Sequence, residues 1–140
     1  WQYTPALRVQ LRQEAGWGWN EDDLTRQRIG GMNAYVVPIA GTPWASLLAS
    51  RFASVRIEQR VKAFGDTEFG ILVDAAVVQD IERKNLRDEY GWALGAGAFM
   101  DTRFGAWNVD AQLGVAPDTG WLSVSGPIMS GYLGVGYALN

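Results

Sequence analysis

Hydrophobic and polar residues alternate with a period of two over the C-terminal third of the chain. From Tyr90 to Asp101, one set of alternate positions is mainly large and apolar, and the positions between them are mainly glycine, alanine or polar. The alternation restarts at Trp107 and again near Ile128. A period of two predicts strands whose two faces differ. We therefore expect three consecutive strands with one continuous apolar face and one small or polar face.

The most regular alternation lies near the start of the chain, from Ala6 to Trp19. Leucine, valine and tryptophan occupy one parity, while arginine, glutamine, glutamate and glycine occupy the other. Such a strand is longer than the roughly 5–6 residues of an ordinary strand. It fits a tilted strand that projects beyond a bilayer, since crossing the bilayer takes about 9–11 residues.

A short turn at Gly65 separates two further alternating segments. Folding the chain about this turn places Lys62 opposite Glu68 on the polar face. It also places Arg56 opposite Asp74 on the same face. Opposite charges that face each other across two strands stabilise the pairing. The sequence therefore predicts a β-hairpin with two cross-strand charge pairs.

The connections between the six predicted strands alternate between long and short. Long connections are expected at residues 20–50, 80–89 and 117–127, and short ones at residues 63–67 and 104–105. Transmembrane β-barrels have short periplasmic turns and long extracellular loops. The pattern predicts an all-β, antiparallel transmembrane β-barrel over residues 1–140, in the bacterial outer membrane and in contact with the lipid bilayer. The long loops would be extracellular and both termini periplasmic.

The longest connection, residues 20–50, carries structural signals of its own. It contains a glycine pair, a proline and Gly41, which predict turns. Six apolar side chains between Ile29 and Ile39 argue against disorder. Loops of this length are usually functional or disordered. We therefore expect an extracellular loop that folds back and packs, with the lumen of the barrel as its destination.

Aromatic residues on the apolar parity give an independent check on this orientation. Four fall at the predicted outer rim and three at the inner rim: Trp17, Trp19, Tyr90 and Trp92, then Phe69, Trp107 and Tyr137. Two aromatic girdles are typical of transmembrane barrels. The alternative is a soluble β-sandwich whose strands are merely flanked by aromatic residues.

Composition excludes several classes of function. The net charge of −3 gives no argument for nucleic acid binding. The absence of cysteine and histidine excludes disulfides, Cys/His zinc sites, thiol nucleophiles and a Ser-His-Asp triad. No cofactor and no enzymatic activity are expected. The mean hydropathy of −0.08 is far below that of a helical membrane protein. The chain opens at Trp1 without a signal-peptide pattern, as a mature protein or a fragment would.

Charged residues are concentrated on the parity that would face the lumen. They are Arg8, Arg12, Glu14, Arg56, Glu58, Arg60, Lys62, Glu68, Asp74, Asp101, Arg103 and Asp110. Such charges either line a conduction path or form a structural network that fixes strand register, and the second role is favoured for most of them. The acidic run Glu21–Asp23 has calcium-binding chemistry. A solvated loop explains that run better.

Three segments resemble a known family. They are RIGG at Arg28–Gly31, YGWALGAGAFMDTRFGAWNVDAQLGVAP at Tyr90–Pro117, and GPIMSGYLGVGYAL at Gly126–Leu139. Together they resemble the C-terminal end of the BamA-type outer-membrane superfamily, also called bacterial surface antigens. That group includes assembly factors, two-partner-secretion transporters and the barrels of patatin-like phospholipases. The resemblance implies a sixteen-stranded barrel whose long loop folds into the lumen.

The resemblance also implies motif positions in this chain. The long-loop motif would comprise Arg28, Ile29, Gly30, Gly31 and Gly41, and the C-terminal β-signal would comprise Gly134, Tyr137 and Leu139. The family's loop tip carries an arginine, but Ile39–Thr42 has none. The chain ends in Asn140 rather than an aromatic residue, and it carries no periplasmic POTRA repeats.

Six strands do not close a standard barrel. Amino-terminal strands outside this chain or strands of another chain would complete it. Alternatively, the long loop supplies two more strands, which predicts a small eight-stranded barrel with residues 28–41 as a lipid-facing hairpin. A third alternative is a soluble barrel that binds an apolar ligand. It predicts that the face of Leu7, Val9 and Leu11 is buried.

Overall fold

The protein folds as a single antiparallel β-sheet. The computed structural model describes residues 7–18, 27–30, 37–42, 47–80, 90–117 and 126–138. These residues contain strands and turns and no helix, which confirms the all-β, antiparallel prediction. The strands are β1 (Leu7–Trp17), β2 (Gln27–Ile29), β3 (Leu47–Phe64), β4 (Thr67–Asp80), β5 (Gly91–Phe104), β6 (Trp107–Ala116) and β7 (Ile128–Tyr137).

The strands lie side by side in the order β1-β3-β4-β5-β6-β7, and β2 pairs with β3. From β3 onward, strands that are consecutive in the sequence are also neighbours in the sheet, as in a β-meander. The sheet is open: β1 and β7 are its two edges, and no described strand joins them. The closed barrel predicted from the sequence is therefore not formed by the described residues alone.

The hairpin of β3 and β4 has the predicted register. Arg56 lies opposite Asp74, and Lys62 lies opposite Glu68. The turn places Gly65 at a φ of 54°, which is in the left-handed region where glycine is favoured. The alternation of the sequence thus specified both which residues share a face and which residues face each other across the hairpin.

β3 begins at Leu47, four residues before the strand that alternation alone predicts near Arg51. These extra residues pair with β2, where Gln27 lies opposite Ala49 and Ile29 lies opposite Leu47. β1 pairs with the same edge of β3 further along, down to Val61. The extension depends on a pairing between distant segments, so it leaves no period of two in the local sequence.

The two faces of the sheet differ sharply in burial. The outer face carries the exposed apolar side chains of the strands, including Val9 (65% exposed), Ile71 (58%) and Leu133 (69%). The inner face carries glycines and charged residues, yet Leu72 and Asp74 on it are 2% and 0% exposed. The outer face is therefore uncovered, and the part of the inner face around Leu72 and Asp74 is covered by another part of the chain.

Exposure of the outer face also bears on one alternative. The soluble-barrel hypothesis predicts that Leu7, Val9 and Leu11 are buried against a core or a ligand. All three are more than half exposed, so no described part of the chain forms a core against them. In this sheet the large aliphatic side chains of β1 point away from the packed side.

Candidate functional site

The inner face is covered by a short segment from the long connection between β1 and β3. We call residues Val37 to Thr42 the inner segment. Its residues are all buried, and Ile39 and Ala40 are 0% exposed. The eight-stranded alternative predicts that residues 28–41 form a lipid-facing hairpin. Residues 29–30 and 37–41 are buried on the inner side of the sheet, so this described part of the stretch is not lipid-facing.

β2 anchors the inner segment at its start. Gly30 donates its backbone N–H to the carbonyl of Val37 at 3.0 Å, and Val37 donates its own to the carbonyl of Arg28 at 3.0 Å. These bonds make a parallel bridge between Ile29 and Val37. Gly30 has a φ of 110°, which only glycine adopts readily. These contacts place the start of the inner segment beside β2, next to the first residues of β3.

Glycines of β5 and β6 admit the inner segment to the sheet. A Cβ atom at Gly95 would overlap the carbonyl of Ala40, and one at Gly114 would overlap the backbone N–H of Gly41. Gly41 itself, at a φ of 79°, lies against the backbone of Val115. Close approach of two backbones requires positions without side chains. The glycine-rich parity of the C-terminal strands therefore forms a cradle for the inner segment.

A buried ion pair lies beneath the inner segment. Asp74 on β4 accepts two hydrogen bonds from Arg56 on β3, at 2.6 Å from Nε and 2.8 Å from Nη2. The backbone N–H of Ala40 donates a third bond to Asp74 Oδ2, at 2.7 Å. A charge removed from water is stable only when its hydrogen-bonding capacity is satisfied. The Asp74 carboxylate thus joins two strands and the inner segment at one point.

Apolar side chains close the space on either side of this ion pair. Seven form one buried cluster: Ile29, Val37, Ile39, Ala49, Ala76, Val78 and Ala93. Phe52 and Ile128 pack against that cluster. Ala40, Leu72 and Phe99 form a second cluster, against which Tyr132 packs. The inner segment contributes Val37 and Ile39 to the first cluster and Ala40 to the second. Among the described residues outside the strands, no other segment contributes to both.

A second group of charges lies toward the turn end of β3 and β4. Arg60 donates to Glu58 at 2.6 Å, and Glu68 lies 2.9 Å from Arg8 and 3.4 Å from Arg60. The guanidinium of Arg60 also stacks over the ring of Phe99, 4.5 Å from its centroid. This group links four strands on the inner face. Arg8 is on β1, Glu58 and Arg60 are on β3, Glu68 is on β4 and Phe99 is on β5.

The ion pair expected between Lys62 and Glu68 does not form, although the two residues are opposite in register. Lys62 Nζ lies 4.0 Å from Asp66 in the turn. Glu68 is instead satisfied by the arginines of β1 and β3. The hairpin alone could not reveal this, because Arg8 comes from a strand sixty residues away in sequence.

The remaining predicted lumen charges all lie on the inner parity. Arg12 and Glu14 pair with each other along β1. Asp101 and Asp110 face each other directly across β5 and β6, and neither forms an ion pair with another described residue. Like charges directly opposite are unfavourable. This carboxylate pair therefore opposes the pairing of β5 and β6, in contrast to the satisfied carboxylate of Asp74.

The motif positions are distributed between the two faces. Arg28 and Ile29 belong to β2, and Gly30 and Gly41 hold the turns that bracket the inner segment. In β7, Gly134 is buried on the inner face, and Tyr137 is exposed and packs edge-on against Trp107 at 4.8 Å. The following predicted positions lie outside the described residues: Trp19, Glu21, Asp22, Asp23, Gly31 and Leu139.

The predicted aromatic girdle residues that the structure describes all point outward and are exposed. Trp17 lies at the end of β1, and Tyr90 and Trp92 lie at the start of β5, where these strands meet the long connections. Phe69, Trp107 and Tyr137 lie toward the short turns. Two aromatic residues that the sequence analysis did not include, Phe64 and Phe104, join the second group at the turns themselves.

Comparisons with known proteins give no match: no protein-family model, no curated protein and no solved structure is similar to the chain. Among the described residues, no group of histidine, cysteine or acidic side chains is arranged to hold a metal ion. No helix in that part of the chain is long and apolar enough to cross a membrane.

The sequence predicts that the long connection folds back and packs, but it does not identify the contacts. The Ala40 amide and its acceptor Asp74 are separated by 34 residues. The available signal was the row of glycines at Gly95, Gly97 and Gly114, all on the inner parity. A face with that many missing side chains needs another backbone to fill it.

Proposed function

We propose that this sheet is part of an outer-membrane β-barrel of the BamA type, with its outer face in lipid and its inner face toward the lumen. The observation that carries the proposal is the reversed burial of the two faces. Apolar side chains exposed along six strands would be an aggregation surface in water. A bilayer is the environment in which such a face is stable.

The open edges of the sheet support a larger assembly. In lipid every backbone N–H and C=O group must be paired within the protein, so an open sheet edge is not stable there. β1 and β7 both need a neighbour. Strands outside the described residues, from the same polypeptide or from another chain, would pair with these edges and close the barrel.

The inner segment supports the relation to the BamA-type superfamily, whose long loop folds back into the lumen. Residues Val37–Thr42 come from the corresponding connection and lie on the inner face. These residues carry no charge. Ala40 donates its backbone N–H to Asp74, and the arginine that pairs with Asp74 is Arg56 on β3. The proposed role is that of a membrane anchor or a pore for outer-membrane protein assembly or secretion, without catalysis.

The test is insertion into phospholipid vesicles, read by quenching of tryptophan fluorescence. Trp92 and Trp107 are exposed on the outer face and would contact lipid directly. Lipids with brominated acyl chains should quench the fluorescence of the folded, inserted protein strongly. A water-soluble quencher should have little effect on the same sample. Insensitivity to the brominated lipids would contradict the proposal.

A further inference from the structure

The outer face carries a groove next to one of its aromatic ends. Its floor is formed by three alanines, Ala15 on β1, Ala53 on β3 and Ala75 on β4. Trp92 and Leu94 on β5 form one end, and the groove has a volume of about 650 Å³. That volume is in the range of about 300–1,000 Å³ found for small-molecule sites.

The groove has a structural cause in the register of four strands. Ala15 lies opposite Ala53, Ala53 lies opposite Val77, and Val77 lies opposite Trp92. Across this row of the sheet, the small side chains are Ala15 on β1 and Ala53 on β3, and the large side chain is Trp92 on β5. On the side toward the short turns, Gln13 on β1 and Val55 on β3 line the groove. The lining is mainly apolar, with polar groups from Gln13, Glu14 and Ser54, on the face proposed to meet lipid.

A positive charge lies near the groove, on β3 beyond the residues that line it. Arg51 is on the outer parity of β3, two residues before Ala53, which is roughly 7 Å along a strand. It is exposed and forms no ion pair with any described residue. Its direct neighbour on β1 is Trp17, which is 69% exposed. A guanidinium beside an indole is an arrangement typical of the membrane interface.

We propose that the groove and Arg51 together bind one phosphate-bearing anionic lipid of the bilayer. One acyl chain would lie over Ala15, Ala53 and Ala75. The headgroup phosphate would accept hydrogen bonds from the Arg51 guanidinium, whose planar array of donors matches phosphate oxygens. A lipid has its charged headgroup at the membrane interface and its acyl chain further inside. Arg51 lies at the aromatic rim and the apolar groove lies next to it, which matches that arrangement. This inference rests on the proposed membrane location of the outer face.

The experiment uses the protein inserted into vesicles of phosphatidylcholine mixed with phosphatidylglycerol. Native mass spectrometry of the released protein counts the phosphatidylglycerol molecules that stay bound. The wild type should retain one such lipid in preference to phosphatidylcholine. Arg51→Gln should lower the retained fraction by about tenfold, the effect of losing one charge-assisted hydrogen bond. Ala53→Leu should lower it as well, because the added side chain fills the groove.

Matched controls separate the site from general effects. Arg103→Gln removes an exposed arginine from the inner face, and Ala96→Leu enlarges an exposed outward alanine beyond the groove. Both should leave the retained lipid unchanged. Equal retention by all variants, equal losses in the controls, or no preference over phosphatidylcholine would overturn the lipid site while the protein remains inserted. Failure of the wild type to insert would overturn both this site and the proposed membrane function.

Discussion

On strand β4 the outward residues Ile71 and Val73 are more than half exposed, whereas Leu72 and Asp74 between them are buried. The outer face of the sheet is thus apolar and uncovered, and the inner face is polar or small and is covered at its centre. A soluble sheet has the opposite arrangement, since its apolar face packs against a core. The comparison indicates that burial here is determined by the inner segment and not by the hydrophobicity of each side chain.

The centre of the inner face tolerates burial because the Arg56–Asp74 ion pair there is satisfied. Asp74 accepts three hydrogen bonds, two from Arg56 and one from Ala40. The outer face has no comparable contacts, and its stability depends on what surrounds the sheet. Substitutions on the two faces should therefore lower the folding free energy for different reasons. On the inner face they remove hydrogen-bond partners, and on the outer face they place a side chain in an environment that does not suit it.

The largest expected effect comes from Asp74→Ala. This change leaves Arg56 buried without its main acceptor, and breaking a buried ion pair costs about 3–5 kcal/mol of folding free energy. Urea unfolding of the protein in vesicles, followed by tryptophan fluorescence, measures the loss. The double variant Arg56→Met with Asp74→Leu should recover much of it, because no charge stays unpaired. A loss below about 1 kcal/mol in the single variant, the cost of an ordinary substitution, would contradict the account.

Val73→Arg should have the next largest effect. Val73 is at the middle of the outward row of β4, and an arginine at the midplane of a bilayer costs about 2–4 kcal/mol in a transmembrane barrel. Gln10→Arg places the same side chain at an exposed position of the inner face, where a change within about 0.5 kcal/mol is expected. The same unfolding measurement compares the two. Equal costs would remove the distinction between the faces.

Gly95→Ala tests the contact between the inner segment and the sheet. The added Cβ would overlap the Ala40 carbonyl, and overpacking of this kind costs about 1–3 kcal/mol. We expect the inner segment to move off the sheet and become accessible to protease, with the strands retained. Gly136→Ala is the control, because its Cβ would meet no atom closer than 3.9 Å. Equal protease resistance in both variants would show that Gly95 does not hold the segment.

The smallest effect is expected from Arg8→Gln. Arg8 bonds Glu68 at 2.9 Å, but its side chain is 58% exposed at the edge strand. Ion pairs of this exposure contribute about 0–1 kcal/mol. The change in unfolding free energy should therefore be close to the error of measurement. A loss as large as that of Asp74→Ala would mean that β1 is held mainly by charge and not by its backbone pairing with β3.

Much of the sheet could be predicted from the sequence, because a period of two is a local property. The alternation identified β1 and the β3–β4 hairpin, and it placed Arg56 opposite Asp74. It also placed Trp92 and Trp107 on the outward parity. These features depend only on which residues share a face and on where a short turn occurs.

The remaining features depend on contacts between distant segments. β2 is three residues long and shows no alternation, so only its pairing with β3 defines it. The Ala40–Asp74 hydrogen bond uses a backbone donor, which every residue except proline possesses, so residue type gives no signal. Glu68 was assigned to Lys62, but Arg8 from a distant strand is its partner. The groove with Arg51 was also missed, since it requires the register of four strands.

Site-directed spin labelling of the protein in a bilayer tests the central claim most directly. Labels at Val9, Val73 and Leu133 would report the outer face, and labels at Gln10 and Arg103 would report exposed positions of the inner face. The account predicts that molecular oxygen, which concentrates in lipid, relaxes the first group, and that a water-soluble nickel chelate relaxes the second. The reverse pattern, or no difference between the groups, would contradict a lipid-facing outer surface.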